Sequence, residues 1–150
     1  MYRLGVGACI INRDNKVFIA ERLDILGAWQ LIQGGIDEGE EPEAALFREV
    51  LEETGIHKNN LSIITQSRDW ISYDFPKDAH YFGGKYKGQK QLWYALRFLG
   101  DDSDINLNYT QHPEFSRFQW VDLANIEDLA VEFKKTLYQK IIEEFSNVVK

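Results

Sequence analysis

The apolar residues near the start of the chain fall into short runs and alternations that are typical of strands. Residues 3–12 and 16–22 predict two strands that form a hairpin around the polar turn Arg13-Asp14-Asn15. Further extended segments are predicted at 61–67, 70–73, 88–100 and 115–121.

Two segments instead show the apolar spacing of a helix. The first begins near Pro42, which suits the first helical position, and ends before Gly55, which suits the left-handed residue after a helix. Its predicted buried face consists of Ala44, Phe47, Val50 and Leu51. The second helix, at 132–149, is predicted to bury Phe133, Leu137, Ile141 or Ile142, and Phe145. Residues 122–129 read as a turn or short helix, so the order of elements predicts an α/β fold with helices on both faces of a mixed sheet.

Length and composition limit the classes of protein that fit. A chain of 150 residues with 44% hydrophobic and 13% aromatic residues suits one globular domain over residues 1–150. The single cysteine, Cys9, lies in an apolar run and is expected to be a buried strand residue. The N-terminus lacks the features of a secretory signal, and we find no apolar stretch of 18 residues. We therefore expect a cytoplasmic protein with no membrane association.

The net charge of −7 argues against stable binding to duplex nucleic acid, which requires many cations against the phosphates. A short, highly phosphorylated ligand remains compatible with it, because bound cations reverse the local field of an acidic site. The chain also carries a lysine-rich segment between residues 77 and 90 that is either a basic binding loop or a solvated surface loop.

The first predicted helix carries Glu49, Glu52 and Glu53 at positions i, i+3 and i+4. This spacing places the three carboxylates on one face, with neighbouring β-carbons roughly 5–6 Å apart. Clustered carboxylates repel one another unless a hard cation such as Mg²⁺ or Mn²⁺ lies between them. Three acids alone would more often form a solvated face, so the surrounding sequence must decide.

The surrounding sequence follows a pattern in which the spacing of the residues is defined. Its members are Gly34, Glu40 and residues 48–50, 52–53 and 55–56. At average amino-acid usage a chance match at a given start is on the order of one in 10⁹. The pattern resembles the signature of the Nudix hydrolases. The resemblance implies the Nudix fold, an α/β/α sandwich around a mixed sheet, and metal-dependent hydrolysis of a nucleoside diphosphate linked to a further group.

Segments outside this pattern resemble one branch of the family, the RNA pyrophosphohydrolases and the similar dinucleoside polyphosphate hydrolases. They occur in the same order along almost the whole chain. The segments are YRLGVG at 2–7, WQLIQGG at 29–35, SRDWISYDFP at 67–76, GQKQLW at 88–93, PEF at 113–115 and VEFKK at 131–135.

The resemblance implies a set of metal ligands and catalytic residues. The cofactor it implies is Mg²⁺, with Mn²⁺ as a substitute and two or more ions bound. The implied ligands are Glu49, Glu52, Glu53 and Glu114, with the backbone of Gly34. Glu53 and Glu114 are the implied catalytic residues, and Glu114 could act as ligand, as general base or as both. Arg48 is expected to be structural, pairing with Glu40 or Glu52 to fix the loop against the helix.

The resemblance also points to phosphate-binding cations and to a residue that stacks on the nucleobase. The cations are Arg3, Arg22 and Lys134, and the aromatic residue is Phe133. Phe133 equally fits the apolar face of the second helix, and Arg22 could be an ordinary surface arginine.

Four functions are considered on the sequence alone. The first choice is release of pyrophosphate from the triphosphate 5′ end of RNA, and the second is asymmetric cleavage of a dinucleoside polyphosphate such as diadenosine tetraphosphate. The third is hydrolysis of damaged nucleoside triphosphates, which nothing outside the first pattern supports. The fourth is a nucleotide-binding module without catalysis, against which the retained acids count. Protein partners are not indicated by any motif.

Overall fold

The computed structural model describes residues 1–150 and contains eight strands and three helices, with short 3-10 turns between some of them. No helix has the length and apolar character needed to cross a lipid bilayer. The strands are β1 (Tyr2–Ile11), β2 (Val17–Arg22), β3 (Trp29–Gln30), β4 (Ile32–Gly35), β5 (Leu61–Gln66), β6 (Ile71–Asp74), β7 (Gly88–Phe98) and β8 (Phe115–Val121). The helices are α1 (Pro42–Thr54), α2 (Ile126–Leu129) and α3 (Lys135–Phe145).

The strands form one mixed sheet. Its main path runs β3-β2-β1-β7-β5, while β4 pairs with β1, β6 pairs with β7 and β8 pairs with β2. β1 and β7 are parallel and all other pairs are antiparallel. The parallel register sets Arg3 opposite Gln89. The N-terminal strand therefore pairs with a strand that lies more than half the chain length away in sequence.

The predicted hairpin of β1 and β2 is correct at its turn and wrong along its length. The register joins the two strands only at Ile11 and Val17. Beyond that pair, β4 lies along β1 from Gly5 to Ala8, and β2 pairs instead with β8. β4 thus occupies the edge of β1 that a full hairpin would need, and it carries a glycine pair to the middle of the sheet.

Each face of the sheet is covered, as the α/β/α sandwich requires. Along β1, Val6 and Ala8 belong to a core beneath α1, whereas Cys9 and Ile11 belong to a second core beneath α3. Burial on both faces explains why β1 reads as a nearly continuous apolar run. The thiol of Cys9 is buried, which raises its pKa to about 12 and agrees with a structural role.

Helix α1 has the predicted ends, with Pro42 at its first turn and Gly55 in the left-handed conformation at φ 72°. The predicted buried face is shifted by one position, because Ala44 is exposed and Phe47 and Leu51 are half-buried. The residues buried on this helix are Ala45, Leu46, Val50 and Thr54.

The predicted C-terminal helix is divided. Residues Glu132–Lys134 form a 3-10 turn, and α3 begins only at Lys135. Because the 3-10 turn winds more tightly than the helix, Phe133 leaves the apolar stripe of α3 and is only half-buried. The stripe itself consists of Leu137, Tyr138, Ile141 and Phe145.

Candidate active site

β4 ends in two glycines because side chains from other elements occupy the space beside its backbone. A Cβ atom at Gly34 would lie 2.0 Å from Cδ of Glu49 on α1. A Cβ atom at Gly35 would lie 2.1 Å from Nη2 of Arg3 on β1. The glycines therefore allow one acid and one cation to approach the same stretch of backbone.

Arg48 connects this backbone to helix α1. Its guanidinium donates two hydrogen bonds to Glu40, at 2.9 and 2.8 Å, and one to the carbonyl oxygen of Gly35 at 2.8 Å. It also donates to Glu49 at 2.8 Å and to Glu52 at 3.3 Å. The hydrogen bond from Arg48 lowers the pKa of Glu40 to about 2. The predicted pairing of Arg48 with Glu40 or Glu52 is confirmed, and the structure shows contacts to both acids.

The three acids of α1 have different surroundings. The side chain of Glu52 is 40% exposed, whereas that of Glu49 is 15% exposed. Burial raises the pKa of Glu49 above its usual range. Glu53 is partly buried beside Glu114, and burial, followed by the charges of Glu114 and Glu49, raises its pKa well above the usual range. The pKa values of Glu49 and Glu53 are thus raised by burial and by the charges of neighbouring acids, which include Glu114 and Glu52.

No three His, Cys, Asp or Glu side chains are already arranged in the structure as a metal cage. Arg48 forms ion pairs with Glu49 and Glu52. The donor chemistry fits a hard divalent cation, since such ions prefer carboxylate oxygens. Glu53 is partly buried among neighbouring acids, and a divalent cation would offset that clustered negative charge.

A cavity of about 510 Å³ adjoins these acids. Its walls contain all of the predicted site residues except Glu52 and Glu53. The seven predicted residues that line it are Gly34, Glu49, Glu114, Arg3, Arg22, Phe133 and Lys134. These residues come from strands β1, β2 and β4, from helix α1, from the loop before β8 and from the turn before α3, and the fold brings them together around one space.

Arg3 lies in the cavity wall, where it contacts two neutral side chains. Its Nη1 atom donates to Oε1 of Gln89 at 3.1 Å, and its guanidinium lies 4.2 Å from the ring centroid of Phe82. Neither partner carries a charge. The positive charge of Arg3 is therefore oriented but not neutralised by these contacts.

Arg22 is held differently, by an acid two residues further along the chain. Its Nε and Nη2 atoms donate to the two carboxylate oxygens of Asp24 at 2.8 and 2.6 Å. Both residues line the cavity. The predicted phosphate-binding arginine is thus present at the cavity but already engaged.

Lys134 is buried, with 5% of its surface exposed, which its sequence position did not suggest. Its Nζ atom lies 3.4 Å from Oε1 of Gln30 and 5.8 Å from the ring centroid of Tyr73. Burial, followed by the charge of Arg22, lowers the pKa of Lys134 to about 7. An anion bound in the cavity would favour the charged form of this lysine.

Phe133 lies among other aromatic rings of the cavity. Its ring centroid is 6.1 Å from that of Tyr73 and 6.4 Å from that of Tyr81. Phe133 also packs against the core beneath α3. The two predicted alternatives, base contact and core packing, are therefore geometrically compatible.

The sequence analysis missed several polar and aromatic residues of the cavity. The hydroxyl oxygen of Tyr73 accepts hydrogen bonds from Nε2 of Gln33 at 3.0 Å and from Nε2 of Gln89 at 2.6 Å. Gln89 in turn orients Arg3. All three residues lie in the recognised segments WQLIQGG, SRDWISYDFP and GQKQLW, so the signal was present. What the sequence did not show is that these segments meet.

The chain is similar to several known proteins. A protein from Zymomonas mobilis named RNA pyrophosphohydrolase is 49% identical over 148 residues, covering 97% of this chain and 95% of its own. One of the same name from Sphingopyxis alaskensis is 50% identical over 151 residues, covering 99% and 95%. The structure of the E. coli dihydroneopterin triphosphate pyrophosphohydrolase superposes with a TM-score of 0.76 at 20% identity, covering 98% of this chain and 99% of that one. The NUDIX domain model matches residues 1–141, and the chain therefore belongs to the Nudix family.

Proposed function

We propose that the chain is a divalent-metal-dependent hydrolase that releases pyrophosphate from the triphosphate 5′ end of RNA. One observation carries the proposal: a single cavity is lined both by carboxylates and by the cations Arg3, Arg22 and Lys134, with Phe133 beside them. A polyphosphate needs cations along its length and a metal-binding group at the bond to be cleaved.

The acids are the groups suited to hold the metal. Glu49, Glu53 and Glu114 would provide its carboxylate ligands, with Glu52 and the backbone of Gly34 at the margin of the site. When bound, divalent cations in such a site lower the pKa of water and neutralise charge on the phosphates. Glu114 is exposed enough to receive a proton from water, so it serves as a ligand, as a general base or as both.

The remaining residues position the substrate. Arg3 and Lys134 attract the phosphates, and Arg22 does so once it is released from Asp24. The half-buried ring of Phe133 lines the cavity and is suited to stack on a nucleobase, and such stacking contributes about 1–3 kcal/mol per base. These contacts would hold the phosphate chain so that an anhydride bond faces the carboxylates.

RNA is preferred over a dinucleoside polyphosphate because of the relatives. The two bacterial relatives of nearly equal length bear the name RNA pyrophosphohydrolase. The aromatic residues alone do not separate the two substrates, because each substrate presents a base next to a polyphosphate. A single-stranded RNA end also avoids the duplex binding that the net charge of −7 opposes.

The test is a comparison of kcat/KM for triphosphorylated RNA and diadenosine tetraphosphate in the presence of Mg²⁺ and of Mn²⁺. We expect pyrophosphate and a monophosphorylated RNA as products, with the larger kcat/KM for RNA. A larger value for diadenosine tetraphosphate would transfer the assignment to the dinucleoside polyphosphate hydrolases.

A matched control separates catalysis from binding. Glu53→Gln should retain binding of the substrate while losing turnover, whereas Glu43→Gln, at an exposed position on the same helix, should retain both. Binding by the wild-type protein without turnover of either substrate would support a nucleotide-binding module instead.

A further inference from the structure

The segment between β6 and β7, residues 75–87, has the composition of a nucleic-acid contact. It contains three lysines and only one acid, Asp78, in a chain whose net charge is −7. It also contains four aromatic residues, which are Phe75, Tyr81, Phe82 and Tyr86. Surfaces that bind single-stranded nucleic acid combine such cations with rings on which bases stack. A loop that was merely solvated would gain nothing from these rings.

The aromatic rings of this segment form a continuous row that begins at Phe133 in the cavity. The ring centroid of Tyr81 lies 6.4 Å from that of Phe133 and 4.9 Å from that of Phe75. The ring centroid of Phe82 lies 6.1 Å from that of Phe75 and 6.2 Å from that of Tyr86. The first rings line the cavity, whereas Tyr86 does not. The row thus leads out of the cavity toward the end of the segment.

The middle of the row is accessible from outside. Tyr81 is 38% exposed and Phe82 is 50% exposed. Exposed aromatic rings that adjoin a cavity are typical of a binding surface, because each of them offers a face to a ligand. The ring of Phe82 also lies 4.2 Å from the guanidinium carbon of Arg3. The row therefore passes next to a cation of the cavity.

The lysines of the segment carry charges that the protein does not neutralise. All three are exposed, and none of them forms an ion pair with an acid. The Nζ atom of Lys85 lies 5.3 Å from the ring centroid of Tyr86, and that of Lys87 lies 4.8 Å from the ring centroid of Tyr2. The nearby carboxylate of Asp74 accepts a hydrogen bond from Tyr2 instead. Ring faces hold a cation without cancelling its charge, so both lysines can still attract phosphates.

We propose that residues 75–87 bind the RNA nucleotides that follow the 5′ end, with bases against the row of rings and phosphates against Lys85 and Lys87. The inference rests on the proposed function, because the 5′ end must lie in the cavity for the strand to leave along this segment. Single-stranded RNA suits the segment better than an acidic polypeptide, which has no bases to stack on the rings. A duplex would likewise present no unpaired bases.

This surface distinguishes the two substrates that the cavity alone does not separate. A dinucleoside polyphosphate ends in a nucleoside on each side and has no following nucleotides. The far end of the row, at Tyr86, would therefore contribute to the binding of a longer RNA and not to that of diadenosine tetraphosphate. Because these contacts lie away from the bond that is cleaved, their loss should raise KM more than it lowers kcat.

The test compares kcat/KM for triphosphorylated single-stranded RNAs of three and nine nucleotides that share their first three nucleotides. The wild-type protein should prefer the longer RNA. Lys85→Gln/Lys87→Gln should lower the ratio of the two values about 2- to 30-fold, the range for two exposed ion pairs, and make kcat/KM for the longer RNA less sensitive to salt. Tyr86→Leu should lower the same ratio by about 5-fold or more, as for the loss of one stacked base. Diadenosine tetraphosphate should be affected less than the longer RNA by both variants.

Lys58→Gln/Lys140→Gln is the matched control, because both lysines are exposed and lie outside the segment. It removes the same charge and should leave the ratio at its wild-type value. Retention of the full preference in either segment variant, or an equal loss in the control, would overturn the inference. Equal kcat/KM values for the two RNAs in the wild type would also overturn it and point to a protein partner for the segment. Turnover of the three-nucleotide RNA by the wild-type protein tests the proposed function separately.

Discussion

Two groups of residues around the cavity are built in different ways. In the acidic group, Arg48 fixes Glu40, Glu49 and the carbonyl oxygen of Gly35 through hydrogen bonds of 2.8 to 2.9 Å, all within one contiguous stretch of chain. In the cationic group, Arg3 and Lys134 come from distant parts of the chain and meet only in the folded protein. A local motif thus holds all of the acids except Glu114, whereas the cations are brought together only by the fold.

The largest predicted effect concerns the acidic group. Glu53→Gln removes one carboxylate charge at nearly constant volume, so we expect kcat/KM to fall by about 10²- to 10³-fold, as for the loss of a single transition-state contact. The melting temperature in metal-free buffer should stay level or rise, because repulsion with Glu114 and Glu49 is relieved. Undiminished turnover at ordinary Mg²⁺ concentrations would remove Glu53 from the site.

The next prediction tests whether Gly34 sets the position of Glu49. Gly34→Ala places a Cβ atom 2.0 Å from Cδ of Glu49, which must shift, so we expect a roughly 100-fold loss of kcat/KM with little loss of stability. Gly39→Ala should behave in the opposite way. Its φ of 79° strains an alanine by about 1–2 kcal/mol, yet no atom lies within 4 Å of the added Cβ. Comparable effects of both variants on turnover would contradict the distinction.

A smaller effect is predicted for Phe133, which lies beside the cationic group. Phe133→Ala should lower kcat/KM roughly 5- to 150-fold through loss of base stacking, with a modest fall in melting temperature because the ring is only half-buried. Phe145→Ala on α3 is the control, since that ring is fully buried and its loss should cost about 3–5 kcal/mol of folding free energy. A large fall in stability for Phe133→Ala with normal turnover of the folded enzyme would assign Phe133 to the core alone.

The smallest expected effect is on the pH dependence of stability. Burial and neighbouring acids raise the folded-state pKa of Glu53, so its stabilising contribution is complete below its unfolded pKa of about 4.3 and is lost as pH rises toward the folded value. The melting temperature in chelator should therefore fall between pH 5 and 6.5. Glu40, with a pKa lowered to about 2, loses its contribution only at lower pH, and Lys134, at about 7, titrates above this window.

Melting curves with and without Mg²⁺ provide the measurement for this effect. Added Mg²⁺ should flatten the slope, because a bound cation favours the ionised carboxylates. Glu53→Gln should reduce the slope in chelator. A melting temperature that rises with pH in chelator would mean that Glu53 is ionised without a cation.

The contrast between local contacts and contacts distant in sequence also explains what the sequence could predict. Helix α1, its ends and the role of Arg48 were predictable because spacing along one helix determines geometry. The pairing of β1 with β7 was not, since sheet partners depend on the whole topology. Neither the burial of Lys134 nor the engagement of Arg22 by Asp24 follows from periodicity, because each depends on the local path of a loop or turn.

The parallel pairing of β1 with β7 also bears on when the protein can act during its own synthesis. Arg3 meets its partner Gln89 only after most of the chain has been made, and Lys134 is added later still. Contacts of such long sequence separation form slowly, because loop closure must precede them. A nascent chain that already contains the complete acidic motif would therefore lack the phosphate-binding wall, and we expect it to remain inactive until its C-terminal helix has left the ribosome.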